Sequence, residues 1–176
     1  MNENEKTLEL IETRRSVRKF KPDAVPKEIL EKIVRAGTYA PSGMGWQSPI
    51  ILAVTNKELR DKLSKWNARI MGTDSDPFYG APAVLVVLAD KSKPTYLYDG
   101  SLVMGDLMLA AHALGLGSCW IHRAKEEFES PEGKELLRSL GIEGDYEGIG
   151  HCIVGYTDGE EPKAQERKPG RACFVE

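Results

Sequence analysis

The spacing of apolar residues changes from segment to segment along this chain, and each spacing predicts an element. Leu8, Leu10 and Ile11 mark a short helix that Thr7 would cap. Pro22 and Pro26 then punctuate an extended link. From Pro26, the residues Ile29, Leu30, Ile33 and Val34 share one face, with Glu28 in the first turn, so a helix follows that Gly37 weakens or ends. Residues 40–49, rich in Pro, Gly and Ser, form a loop. The unbroken apolar run 50–54 reads as a buried strand. Leu59, Leu63, Trp66 and Ile70 then recur at helical spacing over 57–71. After a loop over 72–80, residues 83–89 are apolar throughout, as in a strand buried on both faces. Residues 101–115 carry Asp106 and His112 as the breaks in an otherwise apolar helix, predicted to be buried on nearly every side and central. Gly115 and Gly117 end it. A short strand over 118–121, a surface helix over 130–140 with Ser130 as cap and Pro131 at its first position, and a last strand over 149–156 complete the set. The tail from Thr157 is polar, with an apolar tip at Phe174 and Val175.

Four strands and about five helices without a regular βαβ rhythm predict an α+β fold with a mixed, mainly antiparallel central sheet flanked by helices. Residues 1–176 form one domain, of which about 157–176 are a C-terminal arm. A tail without its own core and an over-apolar central helix both call for a partner, so the expected assembly is an arm-exchanged homodimer.

Composition narrows the function classes. The chain is 41% hydrophobic and 29% charged with a net charge of −3, which gives no electrostatic footprint for nucleic acid. Any anion site must be local. Three cysteines without a CxxC pair make neither a disulfide framework nor an iron–sulfur module, and fit a reducing cytoplasm. The first six residues lack the apolar core of a signal peptide, and the longest apolar run, 81–89, is far short of a membrane span. No His, Cys and Asp spacing makes a metal site.

The candidate chemistry begins at Arg14-Arg15-Ser16-Val17-Arg18-Lys19-Phe20. In an extended segment Arg14, Ser16 and Arg18 face one way, as a clamp for a phosphate would, although taken alone a cationic run is usually a solvated face. Gly115-x-Gly117 ends a helix and opens a strand, the reverse of a dinucleotide-binding turn. His151 and Cys152 are adjacent and point to opposite faces of a strand, so they form no nucleophile–base pair. His112 reads as a bonded core histidine. Asn67 either bonds a ring edge or is solvated. With little support for catalysis by side chains, a cofactor is the expected carrier of the chemistry.

Four further stretches, Ala40-Pro41-Ser42-Gly43-Met44-Gly45-Trp46-Gln47-Ser48-Pro49, Tyr79-Gly80-Ala81-Pro82-Ala83, Gly115-Leu116-Gly117-Ser118-Cys119-Trp120-Ile121 and Arg167-Lys168-Pro169, follow the basic stretch in an order and at spacings that resemble the nitroreductase family. The resemblance runs from about Leu8 to Pro169. It implies tightly bound FMN reduced by NADH or NADPH, a homodimer with FMN at the interface, and ping-pong transfer to nitroaromatic, quinone or similar flat acceptors. Arg14, Arg15, Ser16 and Arg18 would hold the phosphate and ribityl chain, joined by Arg167 and Lys168. Pro41, Ser42, Gly43 and Gln47 match a loop reaching the flavin of the neighbouring subunit. Ser118, Cys119, Trp120, Ile121 and His122 match the strand along the ring, and Asn67 a pyrimidine-edge contact. His122 is the one candidate proton donor. Gly45 and Trp46 stand where the family commonly has Asn and Arg, and His122 and Arg123 where many members have Gly or Glu, so substrate choice transfers least. The short 71–79 segment predicts a more open site. Dehalogenation, flavin remodelling or a non-catalytic flavin-binding dimer are the alternatives.

Overall fold

A computed structural model describes residues 3–176. Its elements are α1 (Glu3–Thr13), α2 (Lys27–Gly37), β1 (Pro49–Val54), α3 (Lys57–Met71), β2 (Ala83–Asp90), α4 (Tyr96–Ala113), β3 (Gly117–Ile121), α5 (Ala124–Glu129), α6 (Pro131–Ser139) and β4 (Tyr146–Gly155). The strands lie in the order β1-β2-β4-β3, and all three ladders are antiparallel. Among the described residues, parallel pairing is confined to an isolated bridge between Ser16 and Ser118.

Both sheet faces are covered, which is why β2 is apolar without alternation. On one face Val84, Val86 and Ile153 pack with Leu63 and Trp66 of α3 and Phe128 of α5. On the other, Leu85, Val87 and Cys152 pack with Ile33 of α2 and Met104 and Leu107 of α4. Gly37 allows α2 to touch α4, since a Cβ there would meet Leu107 Cδ2 at 2.7 Å.

Several expectations are corrected. Thr7 lies inside α1 and does not cap it. The central helix starts at Tyr96, five residues before Ser101, and β4 starts at Tyr146. α5 was not expected, because its charged Lys125-Glu126-Glu127 run masks a helix with three buried positions, Ala124, Glu127 and Phe128. Nor is α4 buried all round: Tyr98 and Leu102 are exposed on one stripe. Asn56 and Ser130 cap α3 and α6, accepting from Leu59 and Gly133 amides. Beyond Asp158, which bonds Lys19, the tail is exposed and carries no helix or strand.

Candidate functional site

The basic stretch leaves α1 and runs along the free edge of β3. The Val17 amide donates to the Ser118 carbonyl at 2.9 Å. Gly117 permits this approach, because a Cβ there would lie 2.9 Å from Val17 Cβ. Val17 is buried in the core, so its neighbours Ser16 and Arg18 point the other way. Arg15 turns back, donating to the carbonyls of Glu12 and Arg14, and so caps the end of α1. Thr13 bonds His112 Nε2 at 2.9 Å, pinning α1 to the end of α4.

Three buried polar atoms near this edge have no partner among the described residues: Arg14 Nη1, Ser118 Oγ and Trp120 Nε1. Ser118 and Trp120 alternate onto one face of β3, opposite Val154 and Cys152. Arg14 belongs to the same neighbourhood. Burial and Cys119 push the Cys152 thiol up to about 12 while the Arg14 guanidinium pulls it down, so Cys152 is an inert thiol. Cys119 and Ile121 face the opposite core, leaving only their backbone for a ligand on the Trp120 side. Trp120 lies directly on Gly150, where a Cβ would meet its Nε1 at 2.3 Å.

Beyond Trp120 the strand opens into a cavity of about 720 Å³, walled by Tyr98 and Ser101 of α4, Gly148 of β4, and Trp120, His122 and Arg123. The rings of Trp120 and His122 are 6.0 Å apart. The turn is set by Arg123, a non-glycine residue at φ 79°.

The 42–48 loop hangs from one carboxylate. Asp99, 2% exposed, accepts from the Gly43 amide at 3.0 Å, the Ser48 hydroxyl at 2.7 Å and the Thr95 hydroxyl at 3.0 Å. Gly43 is required, as a Cβ would fall 2.3 Å from Thr95 Oγ1. The Ser42 hydroxyl accepts from the Gln47 amide. Met44 and Gln47 stand at φ 52° and 49°.

Burial pushes the Asp99 carboxyl up, but the Gly43, Ser48 and Thr95 donors outweigh it and hold the group below its ordinary value. Asp76 behaves alike: burial raises it, and Arg60, Ser64 and the amides of Gly80 and Phe78 bring it lower. A depressed folded value gives stability that is whole above the unfolded value and is lost as pH falls through the folded one. The expected outcome is a thermal midpoint that is flat near neutrality and drops once the pH passes below about 4. In Asp99→Asn the acid slope should be shallower, as followed by circular dichroism.

The sequence model of the nitroreductase family matches residues 11–72 and 70–156. This chain belongs to the nitroreductase family. Among solved structures, a nitroreductase with bound FMN from Bacteroides fragilis is 30% identical with a TM-score of 0.86, covering 100% of both chains. A second, also with bound FMN, from Desulfitobacterium hafniense, is 28% identical with a TM-score of 0.86 and the same coverage. An iodotyrosine deiodinase from Thermotoga neapolitana is 27% identical over 88% of this chain and 90% of that one. A relative from Methanothermobacter thermautotrophicus, whose name pairs NADH dehydrogenase with NAD(P)H nitroreductase, is 32% identical over 64% of this chain; the match spans 59% of that protein's length.

In this member of the nitroreductase family, Ser16 bridges to Ser118 of β3, Trp120 follows on the same face, and His122 stands with Trp120 at the cavity. Arg18 is exposed beside them. Other expected residues lie elsewhere. Pro41, Ser42, Gly43 and Gln47 do not line the cavity of their own chain. Arg167 and Lys168 are exposed in the tail, and among the described residues no hydrogen bond or ion pair ties them to the core. Asn67 is fully buried, donating to the His122 carbonyl and to Glu127. Asp99, Tyr98, Glu127 and the backbone role of Arg123 carry no signal in the local sequence pattern. Asp99 and Tyr98 fell before the expected start of the central helix, and Glu127 within an unrecognised one.

Proposed function

We propose that the chain is an FMN-dependent oxidoreductase that takes hydride from NAD(P)H and passes it to flat acceptors such as nitroaromatics or quinones. The observation that carries this is the group of buried polar atoms without a partner among the described residues, Arg14 Nη1, Ser118 Oγ and Trp120 Nε1, with Ser118 and Trp120 on one face of β3 and Trp120 lining the cavity at its end. Buried donors are rarely left unmade, and a buried guanidinium nitrogen without an acceptor is costly. A mononucleotide offers what this edge lacks: a phosphate for Arg14 and Ser16, and a ring with acceptor atoms for the strand. The residues present therefore fit FMN. Bound there, FMN supplies hydride acceptance from nicotinamide and hydride donation to an acceptor.

The chain's own contribution is positioning and charge. Arg14, Ser16 and Arg18 bind the phosphate and ribityl end. The backbone of Cys119 to His122 orients the ring through its peptide groups. Tyr98 and Trp120 give the cavity flat walls, so donor and acceptor occupy it in turn, in ping-pong order. His122 stands at the cavity, able to hold a proton for the acceptor. The exposed stripe on α4, the 42–47 loop and the 157–176 arm suit a second copy of the chain, whose loop and tail, with Arg167 and Lys168, would complete each FMN site.

A second reading, reductive dehalogenation of a halophenol, is favoured by the similarity to iodotyrosine deiodinase over 175 residues. Steady-state assays of the FMN-loaded protein with a nitroaromatic, a quinone and a halotyrosine separate the two. Turnover of the first two with NADH or NADPH supports the proposal. Halide release without nitro or quinone reduction would replace it with the second reading.

A further inference from the structure

On the sheet face turned away from the cavity, three polar side chains are sealed from solvent. Asn67 of α3, Glu127 of α5 and His151 of β4 are 0%, 1% and 0% exposed. Glu127 joins the other two: its Oε1 accepts from Asn67 Nδ2 at 2.6 Å and its Oε2 lies 3.1 Å from His151 Nε2. Asn67 Nδ2 also donates to the His122 carbonyl at 2.7 Å, and the Glu127 amide donates to the Arg123 carbonyl at 3.0 Å. The network thus fastens the His122 carbonyl from behind, while the Arg123 carbonyl is held by the first backbone turn of α5. The turn needs fastening, because Arg123 holds a left-handed backbone that a residue with a Cβ adopts only where its surroundings over-determine it. Stability alone does not explain the network. Apolar residues of similar volume generally serve a core as well as a buried carboxylate and imidazole, or better.

We infer that Asn67, Glu127 and His151 are a buried clamp that positions the His122–Arg123 turn against FMN and the acceptor. The inference rests on the FMN reading above. The three are positioning residues, acting through the His122 backbone carbonyl, and Asn67 serves the ring site without touching it.

The test uses the full chain reconstituted with FMN and compares it with E127Q and with the triple variant N67L/E127M/H151F. FMN affinity is read by quenching of flavin fluorescence, KM with a nitroaromatic acceptor, and the fold by the thermal midpoint without FMN. The clamp predicts a triple variant at or above the native midpoint that binds FMN or the acceptor about tenfold more weakly, with E127Q, which keeps an acceptor for Asn67 and a donor for His151, within about threefold of native. Native affinity and KM in a folded triple variant overturn the clamp, as does an E127Q loss equal to the triple's. If the triple does not fold, N67L is read by the same criteria; collapse of both makes the network purely structural and also overturns it. A native chain that takes up no FMN fails the functional reading itself, and is recognised by its own lack of binding.

Discussion

Arg14→Ala combined with Ser16→Ala should abolish FMN retention while leaving the fold intact. A charge-assisted contact to phosphate is worth about 1.5–3 kcal/mol, so losing two weakens binding by roughly two to four powers of ten. The same variant should not lose stability. Arg14 Nη1 is buried without a partner, so removing the guanidinium relieves an uncompensated donor in the FMN-free protein. Opposite signs in the two measurements are the signature of a residue placed for a ligand. Fluorescence titration with FMN and a thermal melt of the apo protein check it. A variant that binds FMN like the native chain would show that the basic stretch is a solvated face. A melt lowered in step with binding would make its role structural.

Gly148→Ala is expected to be strongly destabilising for the addition of a single methyl. A Cβ at this position in β4 would lie 2.2 Å from the Ala124 carbonyl oxygen and 2.3 Å from its carbon. Both are backbone atoms at the start of α5, so no side chain can swing aside. The helix must move off the sheet, taking Phe128 and the Glu127 network with it. Overpacking of this kind costs about 3 kcal/mol or more. In a chain of this size that lowers the thermal midpoint by roughly 6–12 °C. Because Gly148 and Arg123 both line the cavity, KM for the acceptor should rise as well. A melt within a degree or two of native would mean that α5 packs loosely against β4.

Much of the architecture was legible because local periodicity and punctuation agree with the fold. β2 reads as buried from its unbroken apolar run, and α6 from Ser130 and Pro131. Strand alternation also puts Val17 in the core between Ser16 and Arg18, as the extended reading of that segment requires. What stayed hidden is of three kinds. The Asn67–Glu127–His151 network joins residues separated by 60 and 24 positions, and nothing local signals a pairing at that range. α5 is mostly charged outside, so its short apolar face left no period to read. α4 is apolar on several faces, and periodicity cannot say which face meets its own sheet and which is left exposed at Tyr98 and Leu102. Asp99 escaped for a related reason. An acidic residue at the start of a helix is ordinarily surface charge favoured by the dipole, yet here it anchors a loop 51–56 residues earlier in the chain.

The most direct measurement is a visible absorption spectrum of the purified protein after incubation with FMN and gel filtration, followed by NADH or NADPH without oxygen. The account predicts flavin bands that travel with the protein and bleach on addition of one of the two donors. A colourless protein that refuses added FMN would contradict it.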